Sequence, residues 1–324
     1  MQEPISVGFI GLGNVGSKLA GSLLEGGYPL GVLDLERETA EPLLQAGARW
    51  GETPRRLAES VDVLITCLPN PAASAAVLED SDGALEGLSN GKHWLEMSTT
   101  DSAEVRRLGE KVREKGAWPA DCPVSGGCHR AATGNISIFA GCERPVFEAI
   151  LPVLSEMGTE ILHTGELGSA SVLKVLTNYL ATANLVSLCE ALVTAQSAGM
   201  DLATTYEAIR ISSGNSFVHE TESQVILNGS RDINFTMDLV LKDITLFQEL
   251  ADQGQVPLEL SPLLIQIFKD AAQRYGAREW SPNVIRRLED ATGTHITAPG
   301  FPAEMVDTEP RQQGHEVFPG QGLK

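Results

Sequence analysis

Short runs of β-branched and aliphatic residues alternate with helical patterns along the first half of the chain. The helical segments, such as residues 15–24 and 103–114, repeat their apolar positions every three or four residues, which predicts helices with one buried face. Strands that alternate with helices are typical of βαβ units around a parallel sheet. This half is therefore predicted to be a doubly wound α/β domain, with strands over residues 5–10, 30–34, 62–68, 93–98, 118–124 and 136–140.

A different pattern begins at Leu167. Up to about residue 198 the side chains are apolar around most of a helical circumference, which predicts one long helix that is buried on most sides and joins two domains. Further helices are predicted over 202–211, 237–253 and 262–275, and periodicity disappears beyond Gly293. We therefore expect an α/β domain over residues 1–166, an all-helical domain over 167–292 and an extended tail over 293–324.

Composition and charge exclude several classes of protein. The 324 residues are 42% hydrophobic and carry a formal net charge of −19, so a phosphate backbone or an anionic membrane surface would be repelled. No apolar run of about 18 residues and no basic leader are recognised in the sequence, so we expect a cytoplasmic, soluble protein without a membrane or nucleic-acid partner. The five cysteines lack paired spacing, and no metal site is predicted.

A glycine-rich motif lies between the first predicted strand and the first predicted helix: Gly11-Leu12-Gly13-Asn14-Val15-Gly16. Glycines at this spacing allow a tight turn and the close approach of a pyrophosphate to a helix N-terminus. Asp34 ends the second predicted strand at about the 20-residue spacing expected of the acid that binds the adenosine ribose. Its carboxylate would repel a 2′-phosphate, which favours NAD over NADP. Two alternatives stay open: Asp34 starts a turn, or Arg37 binds a phosphate.

Two further segments follow predicted strands of the same sheet. Leu68 and Pro69 come at the end of the strand over 62–68, and Thr99 follows the strand over 93–98. Ligands of open α/β sheets bind at the carboxyl ends of the strands, so these residues are predicted to contact the cofactor. Each segment could instead be a strand-ending turn or a helix N-cap.

Polar residues that could carry chemistry follow the cofactor motif. Lys174 and Asn178 are four residues apart and share one face of the long apolar helix. A buried lysine has a lowered pKa and can move a proton near neutral pH, although a lysine can also pair with a carboxylate or reach the surface. Ser125-Gly126-Gly127 offers a hydroxyl and unobstructed N–H groups that could hold an anion, or is only a flexible turn.

Five motifs, in order over residues 5–290, resemble the β-hydroxyacid dehydrogenase family, which includes 3-hydroxyisobutyrate dehydrogenase and, more distantly, 6-phosphogluconate dehydrogenase. They are the opening GFIGLGNVG, Leu68-Pro69, the DCPVSGG of residues 121–127, the LKVLTN of residues 173–178 and the LKD of residues 241–243. The resemblance implies an N-terminal Rossmann domain, a long interdomain helix, an all-α C-terminal domain and NAD(P)-dependent oxidation of a small 3-hydroxy acid. We also expect a homodimer or homotetramer.

The resemblance further implies residue roles. Lys174 would be the general acid/base with Asn178 beside it, Ser125-Gly126-Gly127 would hold the substrate carboxylate, and Lys242 would lie at the nicotinamide end. Without the resemblance, Lys242 and Asp243 would be interpreted as a surface ion pair. Two alternatives are an imine reductase-like NAD(P)H enzyme and a non-catalytic NAD-binding module, and Lys174 argues against both.

The sequence departs from the family pattern in three places that bear on the substrate, one of which is the tail after about Gly293, which extends beyond the common core. Glu96 stands before the Ser-Thr segment where the family usually has aspartate. Residues 212–219 do not identify a particular member of the family.

Overall fold

The computed structural model describes residues 4–320, and a ten-stranded sheet forms the centre of its first compact unit. The strand order is β10-β9-β8-β6-β5-β4-β1-β2-β3, with β7 paired to β8. Neighbouring strands are parallel except where β8 meets β6 and β7. The doubly wound prediction is therefore confirmed. The strands are β1 (Val7–Ile10), β2 (Leu30–Leu33), β3 (Arg49–Trp50), β4 (Val63–Thr66), β5 (His93–Glu96), β6 (Trp118–Asp121), β7 (Val124–Ser125), β8 (Ile136–Gly141), β9 (Gly158–Gly165) and β10 (His315–Val317).

Helices cover the two faces of this sheet. Successive strand residues enter different apolar clusters: Phe9 and Ile65 belong to one, and Ile10 and Leu64 to the other, as the alternation of side chains along a strand requires. Asn70 caps one of the helices by accepting a hydrogen bond from the Ala73 N–H. The helices are α1 (Gly16–Glu25), α2 (Arg37–Gln45), α3 (Pro54–Glu59), α4 (Pro71–Glu79), α5 (Ser102–Glu114), α6 (Gly127–Thr133) and α7 (Arg144–Met157).

The second compact unit contains residues 175–306 and is helical, as predicted. Its longest element, α8 (Ser169–Ser197), begins in the first unit and continues into the second. The core of this second unit includes Leu192, Ile226 and Phe268. The further helices are α9 (Leu202–Arg210), α10 (Phe217–Asn228), α11 (Met237–Gln253), α12 (Leu260–Tyr275) and α13 (Arg286–Thr292).

One described helix, α8, is long and apolar enough to cross a membrane by length and composition alone. Its most apolar 18-residue window has a mean hydropathy of 1.3, so the expectation that no apolar run reaches this length was wrong, and 33% of the window is buried. This is weak evidence for a membrane span, because the core helix of a soluble protein meets the same criteria. Leu185, Leu188 and Leu192 of α8 belong to the apolar core of the second unit.

Several elements have no counterpart among the predicted strands and helices, among them β3, β9, β10, α10 and α13. β9 follows α7 with no residue between them, so no turn marks its start. β10 has only three residues and pairs in parallel with β9. His315 lies opposite Glu160, and Val317 lies opposite Leu162. α10 begins after Ser216, whose hydroxyl accepts the His219 N–H; the unassigned stretch 212–219 is therefore a loop and the first turn of this helix.

The chain returns to the first unit from Asp307 onward. Asp307 Oδ2 accepts hydrogen bonds from the hydroxyl of Thr133, the last residue of α6, and from Asn135 Nδ2 at 2.8 Å. Arg144, at the start of α7, donates to both carboxylate oxygens of Glu316 at 2.5 and 2.9 Å. Side-chain bonds to α6 and α7 thus accompany the pairing of β10 with β9.

We expect Asp307→Ala to lower the free energy of unfolding by about 1–2 kcal/mol at pH 7, since Thr133 and the buried Asn135 each lose one hydrogen-bond acceptor. Partial burial opposes ionisation, but the hydrogen bonds from Thr133 and Asn135 hold the pKa of Asp307 below its usual 3.8. The contribution is therefore full above pH 3.8 and falls as the pH drops below it. Urea unfolding followed by circular dichroism measures this difference.

The control for this measurement is Glu304→Ala, which removes an exposed carboxylate three residues earlier in the chain. Equal stability of the Asp307 and Glu304 variants would show that the contact does not stabilise the unit.

Candidate functional site

The three glycines of the loop between β1 and α1 have different surroundings. Gly11 has a φ of +97°, and a Cβ built there would lie 2.2 Å from the Cys67 carbonyl oxygen. A Cβ on Gly16 would lie 2.0 Å from the Gly11 oxygen, whereas a Cβ on Gly13 would meet nothing within 4 Å. Gly11 and Gly16 are therefore required by the close packing of the backbone. Gly13 leaves open space beside the loop, which fits the approach of a dinucleotide pyrophosphate.

Asp34 lies directly after β2 and is bonded to the same loop. Its Oδ2 accepts the Leu12 N–H at 2.6 Å, and its Oδ1 accepts the Glu36 N–H at 3.3 Å. Each carboxylate oxygen has a further lone pair, so Asp34 retains the capacity to accept ribose hydroxyls. The Arg37 guanidinium lies 5.4 Å from the centre of the Trp50 ring, within cation–π range.

The loops that follow β4 and β5 complete the carboxyl edge of the sheet. The Leu68 N–H donates to Ser98 Oγ at 2.7 Å, which joins the two loops. A Cβ on Gly11 would lie 3.0 Å from Leu68 Cδ2, so the glycine loop contacts the loop after β4. Pro69 is exposed and Thr99 half-buried. The structure thus gathers the predicted cofactor residues of the first unit at one edge of four neighbouring strands.

The predicted carboxylate-binding segment lies between β7 and α6. Ser125 is the last residue of β7, and Gly126 and Gly127 have φ values of +128° and +83°, which strongly favour glycine. The Arg130 side chain packs on this turn, because a Cβ on Gly126 would lie 3.3 Å from Arg130 Cδ. Arg130 also lies 3.5 Å from the Glu309 carboxylate. A cation therefore accompanies the turn, although an acid of the returning chain already neighbours it.

Asp121, which the sequence analysis gave no role, fixes the start of α8. Its side chain is completely buried and accepts three hydrogen bonds: from the Gly168 and Ser171 N–H groups at 2.7 Å and from the Ser171 hydroxyl at 2.8 Å. Burial raises the pKa of Asp121 despite these bonds. Lys174 follows Ser171 by one helical turn and is 8% exposed. The position of Lys174 in the first unit thus depends on this buried carboxyl.

Asn178 and Lys242, both in the second unit, meet at Asp243. The Asn178 Nδ2 donates to Asp243 Oδ2 at 2.5 Å, and Lys242 Nζ lies 3.0 Å from Asp243 Oδ1. Asp243 is 1% exposed, so the pair is not the surface ion pair that the sequence alone would favour. Tyr179 stacks on Phe247 with ring centres 4.0 Å apart, which packs α8 against α11 beside this contact.

The Ser171 partner of Asp121 and the Asn178 partner of Asp243 come from distant parts of the chain, so sequence spacing could not reveal them. The available signal was an acid placed in an otherwise apolar strand or helix. Within residues 4–320, no three His, Cys, Asp or Glu side chains are grouped so that they could hold a metal ion.

The chain is similar in sequence and in fold to several known dehydrogenases. The 2-(hydroxymethyl)glutarate dehydrogenase of Eubacterium barkeri is 33% identical over 92% of this chain and 99% of its own length. The NAD-dependent L-serine dehydrogenase of Pseudomonas aeruginosa is 31% identical over 88% and 98%. A crystal structure of 3-hydroxyisobutyrate dehydrogenase from Salmonella typhimurium has a TM-score of 0.81 at 27% identity, covering 87% of this chain and 99% of that one.

The fold and the glycine loop define an NAD(P)-binding oxidoreductase with a Rossmann domain and a helical domain. Residues 6–165 match the model of the NAD-binding domain of 6-phosphogluconate dehydrogenase. Residues 168–288 match the model described as NAD-binding of NADP-dependent 3-hydroxyisobutyrate dehydrogenase. The chain belongs to the β-hydroxyacid dehydrogenase family, whose members are NAD(P)-dependent oxidoreductases acting on CH–OH groups.

Gly13→Ala should fold normally but bind NADH at least about ten-fold more weakly, because the new methyl group occupies the open space beside the loop. Fluorescence titration with NADH measures the affinity, and thermal unfolding reports the fold. Gly21→Ala is the matched control: its Cβ also meets nothing within 4 Å, and it lies inside α1, where alanine favours the helix. Wild-type NADH affinity in Gly13→Ala would contradict the assignment.

Proposed function

We propose that this protein transfers a hydride between the hydroxyl-bearing carbon of a small 3-hydroxy acid and NAD, with Lys174 as general acid/base. The observation that carries the proposal is the position of Lys174. It is buried in the first unit, one turn beyond the anchor that Asp121 provides. A lysine that only reached the solvent would not need this burial, since its long stem normally lets the ammonium group stay in water.

The reaction needs a base for the hydroxyl proton of the substrate. When bound, NAD would accept a hydride from the hydroxyl-bearing carbon. Lys174 in its amine form would take the proton of the hydroxyl group, which leaves a carbonyl. In the reverse direction the ammonium form of Lys174 donates a proton to the developing alkoxide and stabilises its charge. The presence of Lys174 argues against the two alternatives, an imine reductase-like enzyme and a non-catalytic NAD-binding module.

Asn178 is proposed to act beside Lys174, with its orientation set by Asp243. Because the amide nitrogen donates to the Asp243 carboxylate, the amide oxygen is the atom of Asn178 available to accept a further hydrogen bond. Asp243 is thus a positioning residue for Asn178. Lys242, paired with the same carboxylate, is proposed to serve the nicotinamide end of the cofactor.

Ser125, Gly126 and Gly127 are proposed to bind the substrate carboxylate. Their hydroxyl and N–H groups are hydrogen-bond donors, and the two glycines carry no side chain that would obstruct an anion. Three relatives are named for 3-hydroxyisobutyrate, L-serine and 2-(hydroxymethyl)glutarate, and all of these compounds contain the unit HOCH2–CH(R)–COO⁻. We therefore propose 2-substituted 3-hydroxypropionates as the substrate class.

NAD is proposed over NADP. The Asp34 carboxylate lies at the end of β2, where it would accept ribose hydroxyls and repel a 2′-phosphate. Arg37, the cation nearest to Asp34 in sequence, is engaged with the Trp50 ring. The name of one relative also specifies NAD. The contacts of Leu12, Asn14, Val15, Leu68, Pro69 and Thr99 with the cofactor are part of the same proposal.

Three broader expectations are proposals as well. A homodimer or homotetramer is supported by apolar side chains exposed on the second unit, such as Leu180 at 58% and Ile211 at 76%. A cytoplasmic location without nucleic-acid or membrane partners is supported by the net charge of −19. The functional division into residues 1–166, 167–292 and 293–324 is the third.

Lys174→Met should reduce kcat by a factor of about 10² to 10⁴ while NADH binds as in the wild type, because the variant keeps the apolar stem and loses the proton-transfer group. The assay follows absorbance at 340 nm with NAD and NADP against 3-hydroxyisobutyrate, L-serine and 2-(hydroxymethyl)glutarate. Lys269→Met, on the exposed side of α12, is the control. If the Lys174 variant keeps more than about a tenth of the wild-type rate, the role of Lys174 is refuted.

Asp243→Asn should lower kcat/KM for the hydroxy acid by about ten-fold, because Asn178 loses its charged acceptor and its amide is no longer held in one orientation. Steady-state kinetics at saturating NAD separates kcat from KM. Asp238→Asn is a matched control, since it makes the same change to an acid of the same helix. The carboxylate of Asp238 pairs with the exposed Arg278 instead of Asn178. Equal kinetics of the two variants would exclude the positioning role.

A further inference from the structure

Glu96 is a buried acid to which the proposed mechanism gives no task. It is the last residue of β5, in register with Thr66 at the end of β4, and its side chain is completely buried. The two loops that follow these strands carry Leu68, Pro69 and Thr99, the proposed cofactor contacts. A carboxyl group buried between the ends of two such strands needs compensating hydrogen bonds, because its burial costs free energy.

A chain of hydrogen bonds connects Glu96 with both loops. Its Oε1 accepts the Ser98 N–H at 2.9 Å and the Ser98 hydroxyl. Because the Ser98 hydroxyl donates its proton to Glu96, its oxygen is free to accept, and it accepts the Leu68 N–H at 2.7 Å. The loop after β5 is thus bonded to the loop after β4 through the Ser98 hydroxyl, and Glu96 sets the orientation of that hydroxyl.

The other carboxyl oxygen favours the neutral acid. Oε2 is buried and accepts no hydrogen bond from the described residues, whereas Ser98 donates both of its bonds to Oε1. Burial raises the pKa of Glu96 above its usual 4.5, against the effect of the neighbouring hydroxyls. Protonation of Oε2 removes the negative charge that this buried oxygen would otherwise carry without a hydrogen bond.

We propose that Glu96, as a neutral carboxylic acid, is a positioning residue for the dinucleotide: it orients Ser98, and Ser98 holds the Leu68 N–H, so that the two cofactor-binding loops keep one spacing. The inference rests on the proposed cofactor contacts of Leu68, Pro69 and Thr99. It does not depend on the substrate or on Lys174.

NADH affinity of the full chain tests this proposal without any hydroxy acid, so failure of the substrate assignment leaves the test intact. Ser98→Ala removes the hydroxyl that joins the two loops and should weaken NADH binding about five-fold. Glu96→Gln preserves a neutral acceptor and a donor, and should bind NADH within about two-fold of the wild type. Ser74→Ala removes a buried hydroxyl beside Glu96 that takes no part in joining the loops, and should leave the affinity unchanged.

Hydrogen exchange at the Leu68 amide provides a second measurement, which a general loss of stability would not reproduce. Exchange should accelerate in Ser98→Ala and stay as in the wild type in Ser74→Ala. If Ser98→Ala does not fold, Ser98→Cys, a weaker donor and acceptor of similar size, takes its place with the same expected direction.

Three results would overturn the proposal. Wild-type NADH affinity and Leu68 exchange in the Ser98 variant would show that the bond between Ser98 and Leu68 does not position the loops. Equal weakening by Glu96→Gln and Ser98→Ala would show that the charged form of Glu96 is required. Equal weakening by Ser74→Ala would show that any loss of packing in this cluster has the same effect.

Discussion

The buried carboxyl of Asp121 is the constraint on which the arrangement of the first unit depends. It accepts hydrogen bonds from the start of α8 and thereby ties the longest helix of the chain to the end of a central strand. The Asp121 side chain can lie this close to β8 only because residue 141 is a glycine: a Cβ there would lie 2.3 Å from Asp121 Oδ1. An acid and a glycine thus fix where Lys174 lies.

The carboxyl ends of the parallel strands explain why residues far apart in sequence meet. Thr66, Glu96 and Asp121 are in register across β4, β5 and β6, so three polar side chains occupy neighbouring strand ends. Each is buried, and each has hydrogen-bond partners in a loop, strand or helix start nearby. The hydrogen bonds of Glu96 and Asp121 hold the loop after β5 and the start of α8, and the loop after β5 carries the proposed cofactor contact Thr99.

Local patterns predicted the elements whose cause is local. The glycine loop and α5 follow from residues within one turn or one helical period, so the sequence indicated them correctly. β9 was missed because it follows α7 without a turn, and β10 because three residues carry no period and gain their partner only from β9. The bond between Asp121 and Ser171 spans 50 residues, and that between Asn178 and Asp243 spans 65. Such pairs depend on tertiary structure, which spacing does not encode.

The returning segment lies beyond the second family match and contacts the helix that begins in the proposed carboxylate-binding turn. The match to the Eubacterium barkeri relative covers 99% of that protein but 92% of this chain, and the second family match ends at residue 288. From Asp307 onward the chain bonds to the end of α6, and Glu309 neighbours Arg130 on the same helix. This helix begins at Gly127, within the segment proposed to bind the carboxylate. The chain beyond the family match therefore supports the helix on which that binding segment depends, and it places negative charge beside the cation that packs on the turn.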